Sequence, residues 1–341
     1  MRTKTAQRMC GEATTAAGLA RDLGVSPAAV SYALNGRPGL SSALRSEILG
    51  AARDRGLAVK AHERQHLLGL ILADIGNPFY SEFAVSISDT ARKAGYEVVI
   101  AHTDDEPEAI QSSVRSMIRH GVDGVILTVI NAHDASLSRE FRAAGVPYVQ
   151  VSRRSADTPA PYVGIDDYAA GRDVMGHLLD HGYRDIAIVA GPLRSSSTAN
   201  RVSGMKDALR ERDLPVRRNR LLFTSLSNEG GVTAAEYLLR RPPLPRAIAC
   251  GTDAIAMGLL DRLMQQGVRC PEDVAITGYD GLTFSMSEMV NLTTIVQPRT
   301  EMASTALAEL IHSSSETMRG MAVFTCPYSF HIGRTCGCDV S

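Results

Sequence analysis

One pattern recurs along this chain. An amphipathic stretch of helical length ends at glycine, and a short run rich in Val and Ile follows within a few residues. It reads KAGYEVVIA (93–101), RHGVDGVIL (119–127), AAGVPYVQV (143–151), HGYRDIAIVA (181–190) and QGVRCPEDVAITG (266–278). Glycine supplies the left-handed residue that closes a helix. Fully apolar strands such as Gly69–Ala73 and Ile186–Ala190 are expected where helices cover both faces of a parallel sheet. The pattern predicts an α/β body, and its roughly 270 residues exceed what one such sheet usually needs.

The chain before Leu67 has a different texture. Thr14 or Thr15 can cap a short helix through about Asp22, and Gly24 breaks it. Ser26 and Pro27 then supply an N-cap and a proline at the first helical position. The second helix carries Val30, Ala33 and Leu34 on one face, ends near Asn35-Gly36, and is followed by the turn Arg37-Pro38-Gly39. Ser41 or Ser42 opens a third helix with Leu44, Ile48, Ala51 and Ala52 at helical spacing, stopped by Gly56. Helix, tight turn and helix make a helix-turn-helix, whose second helix enters the major groove of DNA. A plain three-helix bundle used for packing or dimerisation is the alternative. Charge leans towards DNA: residues 1–66 hold ten Lys/Arg and five Asp/Glu, whereas the remainder holds 26 and 32. A basic head on a mildly acidic body suits a nucleic-acid partner.

GLARDLGVSPAAVSYALNGRPGLSSALRSEILGAARDRG (18–56) resembles the head of the lactose-repressor/galactose-repressor (LacI/GalR) family. The likeness continues through LGLILADIGNPFYSEFAVSISDTARKAGYEVVIAHTD (68–104), VGIDDYAAGRDVMGHLLDHGYRDIAIVAGP (163–192), GTDAIAMGLL (251–260), DVAITGYDG (273–281), LTTIVQP (292–298) and GRT (333–335). It implies a small all-α helix-turn-helix head and an α/β periplasmic-binding-protein-like core of two parallel-sheet subdomains. The corresponding divisions are a flexible tail at 1–13, the head at 14–57, a shortened linker at 58–67 and an effector domain at 68–341. The N-subdomain would span about 68–163 and 295–326, and the C-subdomain about 164–294 and 327–338. The function implied is a sequence-specific transcription repressor. A homodimer would bind near-palindromic operator DNA, and a small molecule between the subdomains would set its affinity.

Site residues follow motif by motif. In the head, Ser26, Ser31, Asn35 and Ser41 would contact phosphate or position the reading helix, Arg37 and Arg45 would add charge, and Pro27, Ala28 and Tyr32 would face bases. In the cleft, the resemblance implies Asn77, Phe79 and Tyr80 of GNPFYSEF, Arg201 of TANRVSGM, Thr252-Asp253, Asp280 of GYDG, and more weakly Thr128 and Gln297. Asn77 and Asp253 can equally cap helices, Phe79 can pack, and Asp280 can belong to a turn before Gly281.

The chain also departs from the family pattern. Tyr32 stands where an arginine could pair with guanine, and Pro27 and Ala28 offer only apolar contact. Twelve residues separate Gly56 from Gly69, too few for the usual hinge helix, and no leucine wedge for the minor groove is evident. The chain has no Trp, and Leu226 stands where sugar-binding relatives often carry a stacking aromatic. Polyols, small acids and nucleosides therefore compete with sugars as the effector.

No catalytic set competes. Asp166 and Asp167 match a structural pair of the family, SSST (195–198) lacks a nucleophile-elbow context, and there is no GxxxxGK[ST] loop. The histidines read as scattered. Cys10, Cys250, Cys270 and Cys326 are isolated, and the Cys336–Cys338 CxC is a two-ligand fragment whose partners the local sequence does not supply. No metal, cofactor or enzymatic activity is expected. With no apolar run of spanning length and no secretory signal, a cytoplasmic protein is expected. A solute-binding protein of the same core fold, an enzyme with an accessory head, and a regulator whose head has lost specific DNA binding are the rival readings.

Overall fold

A computed structural model describes residues 15–35, 40–57, 66–130, 136–155, 157–158, 160–313 and 322–338. The tail, Arg37 and most of the linker lie outside these residues. The chain divides into two units, Met1–Gln65 and His66–Ser341.

In the first unit, α1 (Ala16–Asp22) is capped by the Thr15 hydroxyl, which accepts from Gly18 N at 3.2 Å. Gly24 turns the chain at φ +63°. α2 (Pro27–Leu34) begins at Ser26, whose hydroxyl accepts from Ala29 N at 3.1 Å, and α3 covers Ser42–Asp54. Leu19, Ala20, Val30, Ala33, Ile48 and Ala52 form the buried core where the three helices meet.

The second unit holds two six-stranded sheets. In the first are β1 (His66–Leu72), β2 (Tyr96–His102), β3 (Gly124–Leu127), β4 (Tyr148–Val151), β5 (Tyr162–Gly164) and β11 (Val323–Thr325), ordered β11-β5-β4-β3-β1-β2 and paired in parallel throughout. In the second are β6 (Ile186–Ala190), β7 (Leu221–Phe223), β8 (Ala247–Cys250), β9 (Ala275–Asp280), β10 (Thr293–Val296) and β12 (Ser329–His331), ordered β12-β10-β9-β8-β6-β7. Here β12 runs antiparallel to β10, so one edge departs from the expected all-parallel sheet. Helices cover these sheets: α4 (Pro78–Lys93), α5 (Pro107–His120), α6 (Ser136–Ala144) and α11 (Arg299–Ser313) with the first, and α7 (Asp167–Asp180), α8 (Ser196–Glu211), α9 (Asn228–Leu239) and α10 (Asp253–Gln265) with the second.

The glycines of the recurring pattern do what their position demands. Gly95, Gly121, Gly145, Gly182 and Gly267 all have positive φ, and a Cβ at any of them would meet open space. Conformation and not crowding selects glycine there. Gly204 is the opposite case: its Cβ would run into the Tyr168 carbonyl where α7 and α8 pack.

Two expectations need correction. The second crossing between sheets lies after Val296, because β10 pairs with β9 through Val296–Asp280; Ile295 and Val296 belong to the second subdomain. The histidines are not scattered either. His177 and His181 stand four apart at the end of α7, and the fold brings them to Cys336 and Cys338. Residues 155 and more away supply the partners that the CxC lacks locally.

Candidate functional site

The exposed face of α2 is the first candidate. Pro27, Ala28, Ser31, Tyr32 and Asn35 are all exposed, at spacings of one and four that make a single helical stripe. Val30 and Ala33 face the core instead. Tyr32 is 38% exposed, and its carbonyl accepts from Arg45 Nη1 at 3.4 Å. The Ser26 and Ser41 hydroxyls accept from the N–H groups of Ala29 and Leu44. A capping hydroxyl still has its own proton to donate, and a phosphate oxygen can take it. Asn35 is the C-cap of α2, and its amide donates to Ser31 O at 2.8 Å, which holds the end of the helix.

The second candidate is the cleft between the sheets, where strand ends and helix starts from both subdomains converge. Asn77 caps α4 by accepting from Phe79 N at 3.0 Å, and its amide donates across the cleft to Leu226 O at 2.8 Å. Other links join the same lips: Arg154 N to Ser196 Oγ at 2.9 Å, Thr283 N to Glu82 Oε1 at 3.1 Å, and Arg194 to Asp105 at 3.8 Å.

Arg201 lies at the cleft floor on α8. Its Nε donates to Asp167 Oδ1 at 2.7 Å and its Nη1 to Gly251 O at 2.8 Å, while the guanidinium sits 3.6 Å from the Tyr279 ring centroid. Tyr279 Oη donates to the same Asp167 oxygen. Asp280 Oδ1 is 3.8 Å from Arg201 Nη1 and accepts from Gln297 Nε2 at 2.8 Å. Burial, the largest influence, pushes the Asp280 carboxyl up to about 8, against the pull of Arg201. The physical reason is precedence: the guanidinium compensates Asp167 first, at the shorter distance. Burial raises Asp167 as well, opposed by that ion pair.

A second arginine holds the other wall. Arg153 bonds both Asp105 oxygens at 2.7 Å and donates to Tyr80 Oη at 3.0 Å. Two cavities result. The inner one, about 20 Å³, is lined by Asn77, Phe79, Tyr80, Arg201, Thr252, Leu226, Asp280 and Gln297 among others; it has room for little more than a water molecule. The outer one, about 410 Å³, is bordered by Asn77, Tyr80, Asp105, Arg153, Arg194 and Glu229 among others, and falls within the range of small-molecule sites.

Seven of the nine residues expected in the cleft therefore line its cavities, and two do not. Thr128 turns its hydroxyl to Ile71 O at 3.2 Å. Asp253 is fully buried, accepting from Leu282 N and from the hydroxyls of Ser285 and Thr294. Thr252, one residue earlier, is the N-cap of α10 and reaches the cavity. Sequence reasoning missed Arg153, Asp105, Ser197 and Thr198. Arg153 carried a usable signal, since it follows a strand end, where ligands gather in parallel sheets. Backbone strain marks the same region. Of the six described non-glycine residues with positive φ, Asp104, Asp105, Ser152 and Asp280 border these cavities. Such outliers cluster at ligand sites because surrounding structure must hold them.

Comparison with known proteins accords with this architecture. The family model for periplasmic binding proteins and the sugar binding domain of the LacI family matches residues 65–324. Catabolite control protein A of Priestia megaterium is 31% identical over 299 residues, covering 85% of this chain and 89% of that protein. The ribose operon repressor of Escherichia coli K12 is 27% identical, covering 86% and 91%. Among solved structures, a complex of the transcriptional regulator CelR with cellobiose superposes with a TM-score of 0.72 at 24% identity, covering 94% of this chain and 99% of that one, which shows a shared fold. With the family model and an aligned relative each spanning well over half of its length, this chain belongs to the LacI family of transcription regulators.

Proposed function

We propose that this LacI-family regulator is a repressor whose homodimer reads operator DNA with the exposed stripe of α2, and whose cleft takes a neutral polyhydroxylated molecule, a sugar or polyol. The observation that carries the ligand class is the charge balance of the cleft. Arg201 faces Asp167 at 2.7 Å, Arg153 faces Asp105 at 2.7 Å, and Arg194 approaches Asp105 at 3.8 Å. The outer cavity adds Asp74, Asp104 and Glu229. Among the described lining residues no surplus of positive charge awaits a carboxylate or phosphate, while convergent amides, hydroxyls and carboxylates suit hydroxyl groups. The cellobiose named in the complex of a structural relative belongs to that class, and a sequence relative takes its name from a ribose operon. Among the described lining residues, no nucleophile is paired with a base.

On DNA, Tyr32→Ala is expected to weaken binding to the specific operator by about 1–3 kcal/mol and to random duplex far less. Fluorescence anisotropy at physiological salt, with an operator recovered by genome-wide pull-down, measures both. Equal loss on the two duplexes would remove Tyr32 from base reading, and failure to recover any operator would sink the repressor reading. A thermal-shift panel of neutral sugars and polyols beside organic acids and nucleotides tests the cleft. Stabilisation by anions alone would overturn the ligand class.

A further inference from the structure

Far from the strand ends that form the cleft, at the last turn of α7, four ligand-type side chains meet. We infer that His177, His181, Cys336 and Cys338 form a tetrahedral zinc site that fastens the C-terminal segment to α7. Their ligating atoms all lie within 4.8 Å of one another, and they are the sole such group among the described residues. Zinc bonds of about 2.0–2.3 Å to His nitrogen and Cys sulfur imply ligand–ligand edges of roughly 3.3–3.8 Å. The present spacing approaches that already: Cys338 Sγ is 3.0 Å from His181 Nε2 and 3.9 Å from His177 Nε2. The backbone is arranged for it. The i, i+4 spacing puts both imidazoles on one side of α7, their ring centroids 4.7 Å apart. Cys336 ends a 3-10 turn (Arg334–Cys336), and Gly337 at φ +91° reverses the chain so that Cys338 returns to the same cluster. Around the ligands, Tyr183 Oη donates to Cys336 O at 3.2 Å, the Phe330 ring meets His177 edge-on at 5.2 Å, and Thr335 Oγ1 donates to Ile276 O at 2.7 Å.

The chemistry selects the ion. Two thiolates and two neutral imidazoles suit a borderline-soft, tetrahedral dication, and the thiolates balance its charge. The C-terminal end of α7 adds a favourable partial negative charge. Four protein ligands leave no open position for a substrate, so the site is structural. It rests on geometry independent of the cleft and of its ligand.

The test uses full-length protein purified without metal-affinity resin, reduced, and analysed for metal by mass spectrometry. About one zinc per chain is expected, falling at least tenfold in Cys336→Ser/Cys338→Ser and in His181→Ala, whose exposed ring is dispensable for the core. Added Co²⁺ in the apo protein should give the intense visible absorption of a tetrahedral thiolate site, which Zn²⁺ abolishes; this readout needs no variant. Folded, reduced wild-type protein that retains no zinc and takes up neither Zn²⁺ nor Co²⁺ at micromolar concentration would overturn the assignment. So would a Cys336–Cys338 disulfide, mapped by a mass two hydrogens light, that persists under the reducing conditions of the assay.

Discussion

Replacing Asp280 with Asn should remove a large pH-dependent contribution to the stability of the core. The carboxyl is 2% exposed, with Arg201 3.8 Å away, Gln297 donating to it and Asp253 nearby as a like charge. Burial lifts it from 3.8 to about 8. Between those limits the folded chain holds a proton that the unfolded chain has released. Stability therefore falls as pH rises through the window from about 4 to 8, by up to about 1.4 kcal/mol per pH unit. Asparagine keeps the size and the acceptor for Gln297 but cannot ionise. The stability of wild type relative to Asp280→Asn should then fall by about 3 kcal/mol from pH 5 to pH 7. Asp167 and Asp253, also raised by burial, titrate in the same direction in both proteins and largely cancel in the difference. Urea unfolding followed by far-UV circular dichroism at pH 5, 6, 7 and 8 measures it. Parallel profiles, offset by a constant within about 0.5 kcal/mol, would refute the reasoning and mean that Arg201 keeps Asp280 ionised throughout.

Two further perturbations probe the same region. Arg201→Met strands Asp167 without its guanidinium and should cost about 3–5 kcal/mol at pH 7, with a smaller deficit at lower pH, where protonation relieves the buried carboxylate; a deficit that does not change with pH in the same urea series would contradict this. Gly204→Ala forces a methyl against the Tyr168 carbonyl between α7 and α8 and should lower stability by about 1–3 kcal/mol, visible as a reduced Tm; an unchanged Tm would show that the helix pair separates at little cost.

What could be read in the sequence is what a few neighbouring residues decide. The caps at Thr15 and Ser26, the breaks at Gly24, Gly95 and Gly182, and the apolar strand Ile186–Ala190 depend on φ, ψ and patterning within one or two turns. Their order then points to two sheets with a cleft at the strand ends, as the family resemblance also implied. Direction within the cleft was beyond that reach. Thr252 and Asp253 are adjacent, yet the first lines the cavity and the second is sealed behind it, because successive residues at a helix start point to different sides.

Partnership was beyond it too. Arg201 looked like a ligand-binding arginine, but whether its guanidinium is available depends on Asp167, 34 positions earlier in the chain. Arg153, in the loop after β4, joins Asp105 of the loop after β2 and Tyr80 of α4, and His177 meets Cys338 across 161 positions. Such meetings follow from strand order, which brings β1 between β2 and β3 and β8 between β6 and β9. Helix caps, the alternation of helices with strands and the family are legible in the chain because they are set locally or by motif. Which charges neutralise each other and which ligands converge depends on burial and on proximity between distant segments, and these are properties of the packed chain.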